Sequence, residues 1–350
     1  QDLPDKESAT MFFQDCKLSH QAQITGISHS VKEILPPDLL DLTQLQKEAN
    51  IRYGYTASEV YDIAQSLYEK KLISYPRTSS RYLTEDVFDS LSPIMARLLS
   101  WELFPAAKGT GGIDISSLSR HVINAEKANV HHAIIITGIR PGNMSEKEMQ
   151  VYRLVAGRML EVFMAPCRIE TTNVEAVCAA QHFKAEQTRI IEAGWHDVFM
   201  HSDMIPASGY SVKELPEVEK GDTLNVCGCN LIHKKQLPVN PFTDAELVEY
   251  MELNGLGTVS SRTNIIRTLV NRKYIRYSGK YIVPTPKGMF TYETIRGKKI
   301  ADTSLTADWE KQLAGLESGM ITGQDFLNRI RNLAKEMTDD IFNTYSTKEE

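Results

Sequence analysis

Lys71-Leu72-Ile73-Ser74-Tyr75-Pro76-Arg77-Thr78-Ser79-Ser80-Arg81-Tyr82-Leu83 is the stretch on which the rest of the chain turns. Before it lies a segment with helical spacing. Val60, Ile63, Ala64, Leu67 and Tyr68 recur there behind the capping box Thr56-Ala57-Ser58-Glu59. Lys70 and Lys71 close that helix where its dipole favours cations. Pro76 then pushes Tyr75 toward an extended backbone, so the helix cannot continue. Residues i and i+2 of an extended segment share a side, which predicts Arg77 beside Tyr75. A guanidinium there can hold a phosphate by bidentate hydrogen bonds and favours phenolate over phenol. Free tyrosine has a pKa of about 10 and is a poor nucleophile without such help. An amphipathic phenol closing a helix, one of 14 tyrosines, fits the same residues, and both readings stand on this stretch alone.

Helical pattern resumes after Thr84 and runs to about Phe104, and the Gly- and Ser-rich residues 106–120 read as a loop. His131-His132 precedes the apolar run Ala133-Ile134-Ile135-Ile136. Adjacent side chains of an extended segment point to opposite faces, so at most one of these histidines faces a given site. A hydrogen-bonded structural histidine fits equally, and no His or Cys spacing points to a metal. Ser145 and Glu148 form a second capping box before Met149, Tyr152, Val155, Ala156, Met159 and Phe163.

On the amino-terminal side, residues 9–35 alternate loosely and read as short strands, ended by Pro36-Pro37. Beyond the helical insert the pattern returns to strands from 168 to 232, as at 169–177 and 223–226. Pro238 and Pro241 mark a further boundary. Thr243 and Glu246 then cap a helix ending near Asn254-Gly255, and Ser260 or Ser261 caps another with Ile265, Ile266, Leu269 and Val270 as its stripe. A hairpin turning on Ser278-Gly279 follows, and this order is that of a winged helix-turn-helix. Ser260, Ser261, Arg262, Arg267, Arg272 and Lys273 gather along that second helix. Hydroxyls and free N–H groups at a helix start suit a phosphate, although capping plus solvated charge accounts for the same residues. Two helices, at 306–318 and 323–343, complete the chain.

Composition narrows the class. The 350 residues suffice for two or three domains, and a hydrophobic fraction of 42% with 24% charged residues is that of a soluble globular protein. No apolar run approaches the roughly 20 residues a membrane helix needs. The start, Gln1-Asp2-Leu3-Pro4, has neither signal-peptide pattern nor initiator Met, so the chain is expected to begin inside a longer protein. The cysteines Cys16, Cys167, Cys178, Cys227 and Cys229 form no CxxC pair, which suits a reducing cytoplasm and argues against disulfides or structural zinc. Cys227 and Cys229 read as two side chains on one face of a strand. A net charge of −6 opposes a simple nucleic-acid binder, so any DNA site must be a local groove in an acidic body.

Four stretches in order resemble type IA DNA topoisomerases of the topoisomerase III branch. Residues 37–50, beginning Pro37-Asp38-Leu39-Leu40, resemble the start of that family's active-site domain. The Tyr75 stretch looks like the tyrosine motif, and His131-His132-Ala133-Ile134-Ile135 resembles the histidine motif. Gly255-Leu256-Gly257-Thr258 through Arg272-Lys273-Tyr274-Ile275, with Tyr281 to Gly288, is similar to the DNA-groove domain.

The resemblance implies a mixed α and β, toroidal-arch fragment in three parts. A discontinuous strand-rich hinge spans 1–36 and 140–235, a helical tyrosine domain spans 37–139, and a helical winged-helix-like domain with a single-stranded DNA groove spans 236–350. It implies an ATP-independent isomerase that cleaves one DNA strand through a 5′-phosphotyrosyl intermediate, passes DNA and religates. Tyr75 would be the nucleophile, Arg77 would neutralise the scissile phosphate, and His131 would support the nucleic acid and the acidic site. Ser260, Ser261 and Arg272 would bind single-stranded backbone. Ser79 stands where the family has an acidic residue, and Ile136 where it has proline. The family begins with a Toprim domain holding a catalytic Glu and an Asp-x-Asp-type Mg²⁺ site, and no such motif is found here. The resemblance therefore implies that this fragment binds no cofactor and is inactive alone. Mg²⁺ would enter the full-length enzyme through the missing Toprim domain. Single-stranded DNA and a helicase are the implied partners, in the cytoplasm and away from membranes. A non-catalytic winged-helix DNA-binding protein is the alternative.

Overall fold

In the computed structural model, residues 6–101, 103–104, 118–128, 130–200, 215–232 and 240–346 are described. The helices in chain order are α1 (Lys6–Ser19), α2 (Leu42–Tyr53), α3 (Ala57–Glu69), α4 (Glu85–Asp89), α5 (Leu91–Ser100) and α6 (Glu146–Glu161). They continue with α7 (Asp197–Met200), α8 (Asp244–Leu253), α9 (Val259–Asn271), α10 (Pro286–Ile295), α11 (Thr303–Glu317) and α12 (Gly323–Ser346). The strands are β1 (Gln21–Ile34), β2 (Cys167–Cys178), β3 (Gln181–Glu192), β4 (Thr223–Asn225), β5 (Ile275–Ser278) and β6 (Tyr281–Pro284). The chain divides into two compact units, each built from separated segments.

The first unit comprises Gln1–Asp38, Ser90–Arg120 and Ala156–Asn240. Its centre is an antiparallel sheet of order β3-β2-β1-β4. β1 pairs with β2 from Gln23↔Val177 to Ile34↔Cys167, with a register shift between Ile24 and Gly26. β2 turns into β3 through Ala179 and Ala180, whose φ values of 47° and 60° are those a two-residue hairpin of right-handed twist demands. Gly157, inside α6, is a packing requirement: a Cβ there would fall 2.2 Å from the Phe199 ring.

Two sequence expectations fail in this unit. Residues 9–19 belong to helix α1 and not to short strands. Ala9, Phe12, Phe13 and Cys16 recur at helical spacing and are its less exposed side chains, a period hidden by the Ser and Thr residues around it. Cys227 and Cys229 lie beyond β4, outside any strand. The buried thiols are instead Cys16, Cys167 and Cys178. Cys16 and Cys178 each donate to the other's carbonyl oxygen, at 3.7 and 3.8 Å, and burial first, then the neighbouring Cys178, pushes the Cys16 thiol up to about 11.

The second unit comprises Leu39–Asp89, His121–Val155 and Pro241–Glu350. Helix α3 has the expected capping box, Thr56 with Glu59, and the box of Ser145 and Glu148 stands at the start of α6. The buried face of α3 is Ala57, Val60, Ala64 and Leu67. Ala57 also enters a cluster with Val248 of α8, Met251 of α8, Ile266 of α9 and Ile282 of β6. The buried Gln46 of α2 donates to the Ala57 carbonyl and to Thr263 Oγ1 of α9, both at 2.9 Å. These contacts bind residues 39–89 and 241–350 into one compact unit.

The order α8, α9, hairpin β5-β6 is as expected, with two differences in detail. The cap of α9 is Thr258, and Ser261 is its third helical residue, closing the box by accepting from the Thr258 N–H at 2.8 Å. Three hydroxyls in four positions leave the choice of cap to the backbone, and Gly257 with φ +70° ends the preceding turn so that the cap falls two residues before Ser260. The hairpin turn is Gly279-Lys280, because Ser278 pairs with Tyr281. The loop expected over 106–120 lies outside the described residues except at 118–120.

Candidate active site

Residues 72–83 and 131–137 are held against each other by backbone bonds that place Tyr75. The Ser74 N–H donates to the Ile135 carbonyl at 2.8 Å, and the Thr137 N–H to the Leu72 carbonyl at 3.1 Å. Between them Ile73 stands opposite Ile136 in an antiparallel bridge, and both are buried. Ser74 Oγ accepts from the Ile135 N–H at 3.0 Å and donates to the Ala133 carbonyl at 3.2 Å. Further on, Thr78 Oγ1 donates to the His131 carbonyl at 3.1 Å, and the Ala133 N–H donates to the Tyr82 carbonyl at 2.9 Å. The tyrosine and histidine stretches, about 55 residues apart in sequence, thus form one seam.

Within that seam the half-buried Tyr75 ring lies between two neighbours. His131 is tilted over it with centroids 4.6 Å apart, and Tyr68 of α3 meets it edge-on at 5.4 Å. His132 turns away, its Nδ1 donating to the Ala133 carbonyl at 2.7 Å. One histidine faces the tyrosine and the other does not, as alternation on an extended segment requires.

Arg77 lies along the same helix. Its Cζ sits 5.0 Å from the centre of the Tyr61 ring, and its Nη2 donates to Gln65 Oε1 at 3.3 Å. Tyr61, Gln65 and Tyr68 are spaced i, i+4, i+7, so a single face of α3 receives both Arg77 and Tyr75. Arg81, the second guanidinium of the stretch, is otherwise engaged. Its Nε donates to Asp41 Oδ2 at 2.6 Å, while Asp41 Oδ1 caps α2 through the Gln44 N–H at 2.7 Å. Burial pushes the Asp41 carboxyl above the usual carboxylate range, against the pull of the Gln44 N–H and Arg81.

Around α9, Ser260 is exposed and shares a contact of 3.2 Å with Thr258 Oγ1, and Ser261 is engaged in the cap. Arg272 is exposed at the opposite end, as the residue closing α9. At 1.5 Å per residue that places it roughly 18 Å from Ser260, so the three expected backbone-binding residues line a helix and do not form one cluster. Arg267 is bound to α3 through Ser58 and Asp62, the latter at 2.9 Å. Arg262 is buried within 3.9 Å of Glu252. Sequence reading missed Tyr61, Gln65, Tyr68, Asp41 and Thr258. The first three are visible as a helical stripe, but nothing in the sequence says which stripe meets the tyrosine. Among the described residues no three His, Cys, Asp or Glu side chains come together in a group that could hold a metal ion. Among the same residues no helix is long and apolar enough to cross a membrane.

This fold and this tyrosine seam coincide with a known family. The sequence pattern of DNA topoisomerases matches residues 1–328, and the chain belongs to that family. It is 32% identical over 344 residues to DNA topoisomerase 3 of Bacillus licheniformis, which covers 91% of this chain and 47% of that one. It is 30% identical over 352 residues to DNA topoisomerase 3 of Bacillus subtilis, covering 93% and 48% respectively. The chain therefore spans about half the length of the curated relatives it matches. Its fold is shared with full-length topoisomerase I of Thermotoga maritima, at a TM-score of 0.74 and 23% identity over 96% of this chain and 55% of that one.

Proposed function

We propose that this chain carries the strand-cutting gate of a type IA topoisomerase of the topoisomerase III kind, with Tyr75 as nucleophile. The observation that carries the reading is the Tyr75 ring set against His131, with Arg77 on the same face of α3. In this reading Tyr75 Oη attacks a backbone phosphorus, the O–P bond forms as the bond to the 3′ oxygen breaks, and the phenol's proton is lost while the 3′ oxygen gains one. The product is a 5′-phosphotyrosyl link and a free 3′-hydroxyl, whose return attack reseals the strand. Arg77 holds the phosphate by charge-assisted hydrogen bonds, and exposed His131 supports the strand beside the ring.

Ser260, Ser261 and Arg272 are the proposed backbone contacts along α9. In the arch reading, 1–36 with 140–235 form the hinge, 37–139 the tyrosine domain and 236–350 the single-stranded DNA groove. Mg²⁺ belongs in this reading to the remainder of the enzyme, where a Toprim domain would supply its acidic ligands. The working environment is the cytoplasm, with single-stranded DNA as substrate and a helicase as candidate partner.

The test joins the chain to the remainder of the Bacillus licheniformis relative and supplies Mg²⁺ with a labelled single-stranded oligonucleotide. The parent is expected to form a protein–DNA adduct stable to denaturant, and Tyr75→Phe to form none while melting at the parent's temperature. Adduct formation or relaxation by Tyr75→Phe at the parent's rate would overturn the assignment.

A further inference from the structure

Arg77 is held by more than its own backbone. Its Nε is buried without a hydrogen-bond partner, its Nη2 donates to Gln65 Oε1, and its Cζ lies over the Tyr61 ring, 5.0 Å from the centroid. A guanidinium has its donors in a rigid planar fork. Two outside contacts therefore limit where the remaining donors point: a ring covers one side of the guanidinium, and an acceptor takes one of its N–H groups. Tyr61 and Gln65 sit one turn apart on α3 and supply one of each. With Nε enclosed, the donors left for a ligand are those of Nη1 and Nη2, the end-on fork that matches two oxygens of one phosphate. Gln65 is also the neutral choice at this position. A carboxylate would take the same hydrogen bond and cancel the charge that attracts the phosphate.

We infer that Gln65 and Tyr61 are positioning residues that hold the Arg77 guanidinium end-on toward the scissile phosphate. The inference rests on the reading of Arg77 as the phosphate-holding group. Neither residue touches the phosphate; each acts through Arg77, and that relation is what an experiment can separate from ordinary structural support.

The experiment measures binding of a short labelled single-stranded oligonucleotide to the full 350-residue chain by fluorescence anisotropy. Arg77→Ala is expected to weaken binding about tenfold, the loss of one charge-assisted contact. Gln65→Leu and Tyr61→Leu are expected to weaken it about threefold each in the parent, and not at all in the Arg77→Ala background, since a residue acting through Arg77 has nothing left to position. Tyr61→Phe keeps the ring and is expected to bind like the parent. Gln65→Glu keeps the shape and the hydrogen bond, and is expected to weaken binding about as far as Arg77→Ala. Two results would overturn the inference while leaving Arg77 in its role. One is a Gln65→Leu variant that binds like the parent; the other is equal losses from Gln65→Leu with and without Arg77. If Arg77→Ala itself binds like the parent, the phosphate-holding role falls, and the inference falls with it.

Discussion

Two arginines stand four residues apart in the stretch that carries Tyr75, and the structure gives them different tasks. Arg77 lies against Tyr61 and Gln65 on α3. Arg81 is tied to buried Asp41, which at the same time caps α2. Alternation on an extended backbone would put two residues four apart on one side, so the distinction comes from what each meets; the residue types alone do not carry it. Asp41→Ala removes a cap acceptor and the Arg81 partner together. It is expected to lower stability by roughly 1–2 kcal/mol, the usual cost of a lost carboxylate cap, because Arg81 is too exposed to add much. Urea titration checks this, and Asp41→Asn, which can still accept from the Gln44 N–H, is expected to recover most of the loss. Ile136, expected to replace a proline, is buried opposite Ile73, and the bridge there, made by the Ser74 and Thr137 N–H groups, does not explain the exchange. Ser79 is exposed, and nothing in the structure explains its replacement of an acidic residue.

Helix α3 is the element that organises the site, because every side of it is used. Ala57, Val60, Ala64 and Leu67 enter the core, Ser58 and Asp62 hold Arg267 of α9, and Tyr61, Gln65 and Tyr68 receive the tyrosine stretch. On the remaining side, Ser66 and Lys70 reach Glu148 at the start of α6, at 2.7 and 2.5 Å. The Lys70 ammonium first, then the Ser145 N–H and the Ser66 hydroxyl, hold the Glu148 carboxyl down from 4.5 to about 2. The sign of the linkage follows from that direction. The contribution is fully present above about 4.5, where the unfolded chain's carboxyl is ionised, and is lost as pH falls toward about 2. The parent's melting temperature is therefore expected to drop across that acid window, and Glu148→Gln to melt lower at neutral pH with a flatter acid limb. Differential scanning calorimetry at stepped pH reads both, and an unchanged acid limb in the variant would remove Glu148 from the account.

At the scale of the whole molecule, a net charge of −6 must, in the proposed reading, coexist with a substrate that is itself a polyanion. Several cations are neutralised locally: Arg81 by Asp41, Arg158 by Glu161, Arg267 by Asp62 and Lys70 by Glu148. Against that net negative charge, the cations left for a strand include the exposed Arg272, Lys273, Arg276 and Lys280 and the partly exposed Arg77. Binding of the chain to single-stranded DNA is therefore expected to be weak and shallow in its salt dependence. Each phosphate contact adds roughly 0.7 to the slope of log K against log salt. A titration in potassium chloride giving a total slope of about 1–3 would agree; a steep slope like that of a strongly basic protein would not.

Sequence order and spacing determined helices α3 and α8 with their caps, the extended tyrosine stretch and the two-face alternation of His131 and His132, but not helix α1 or the cap of α9. Each is set by neighbours within a few residues: Pro76 acting on Tyr75, Thr56 with Glu59, Thr243 with Glu246. The family was legible for the same reason, since its stretches are short and stand in a known order. Tertiary structure decided what those stretches meet. That Tyr75 lies between Tyr68 and His131 and that Gln65 holds Arg77 depend on the seam between residues 72–83 and 131–137 and on the packing of α3. Those contacts join residues far apart in the chain. Their energies come from burial and hydrogen-bond geometry that no local pattern encodes.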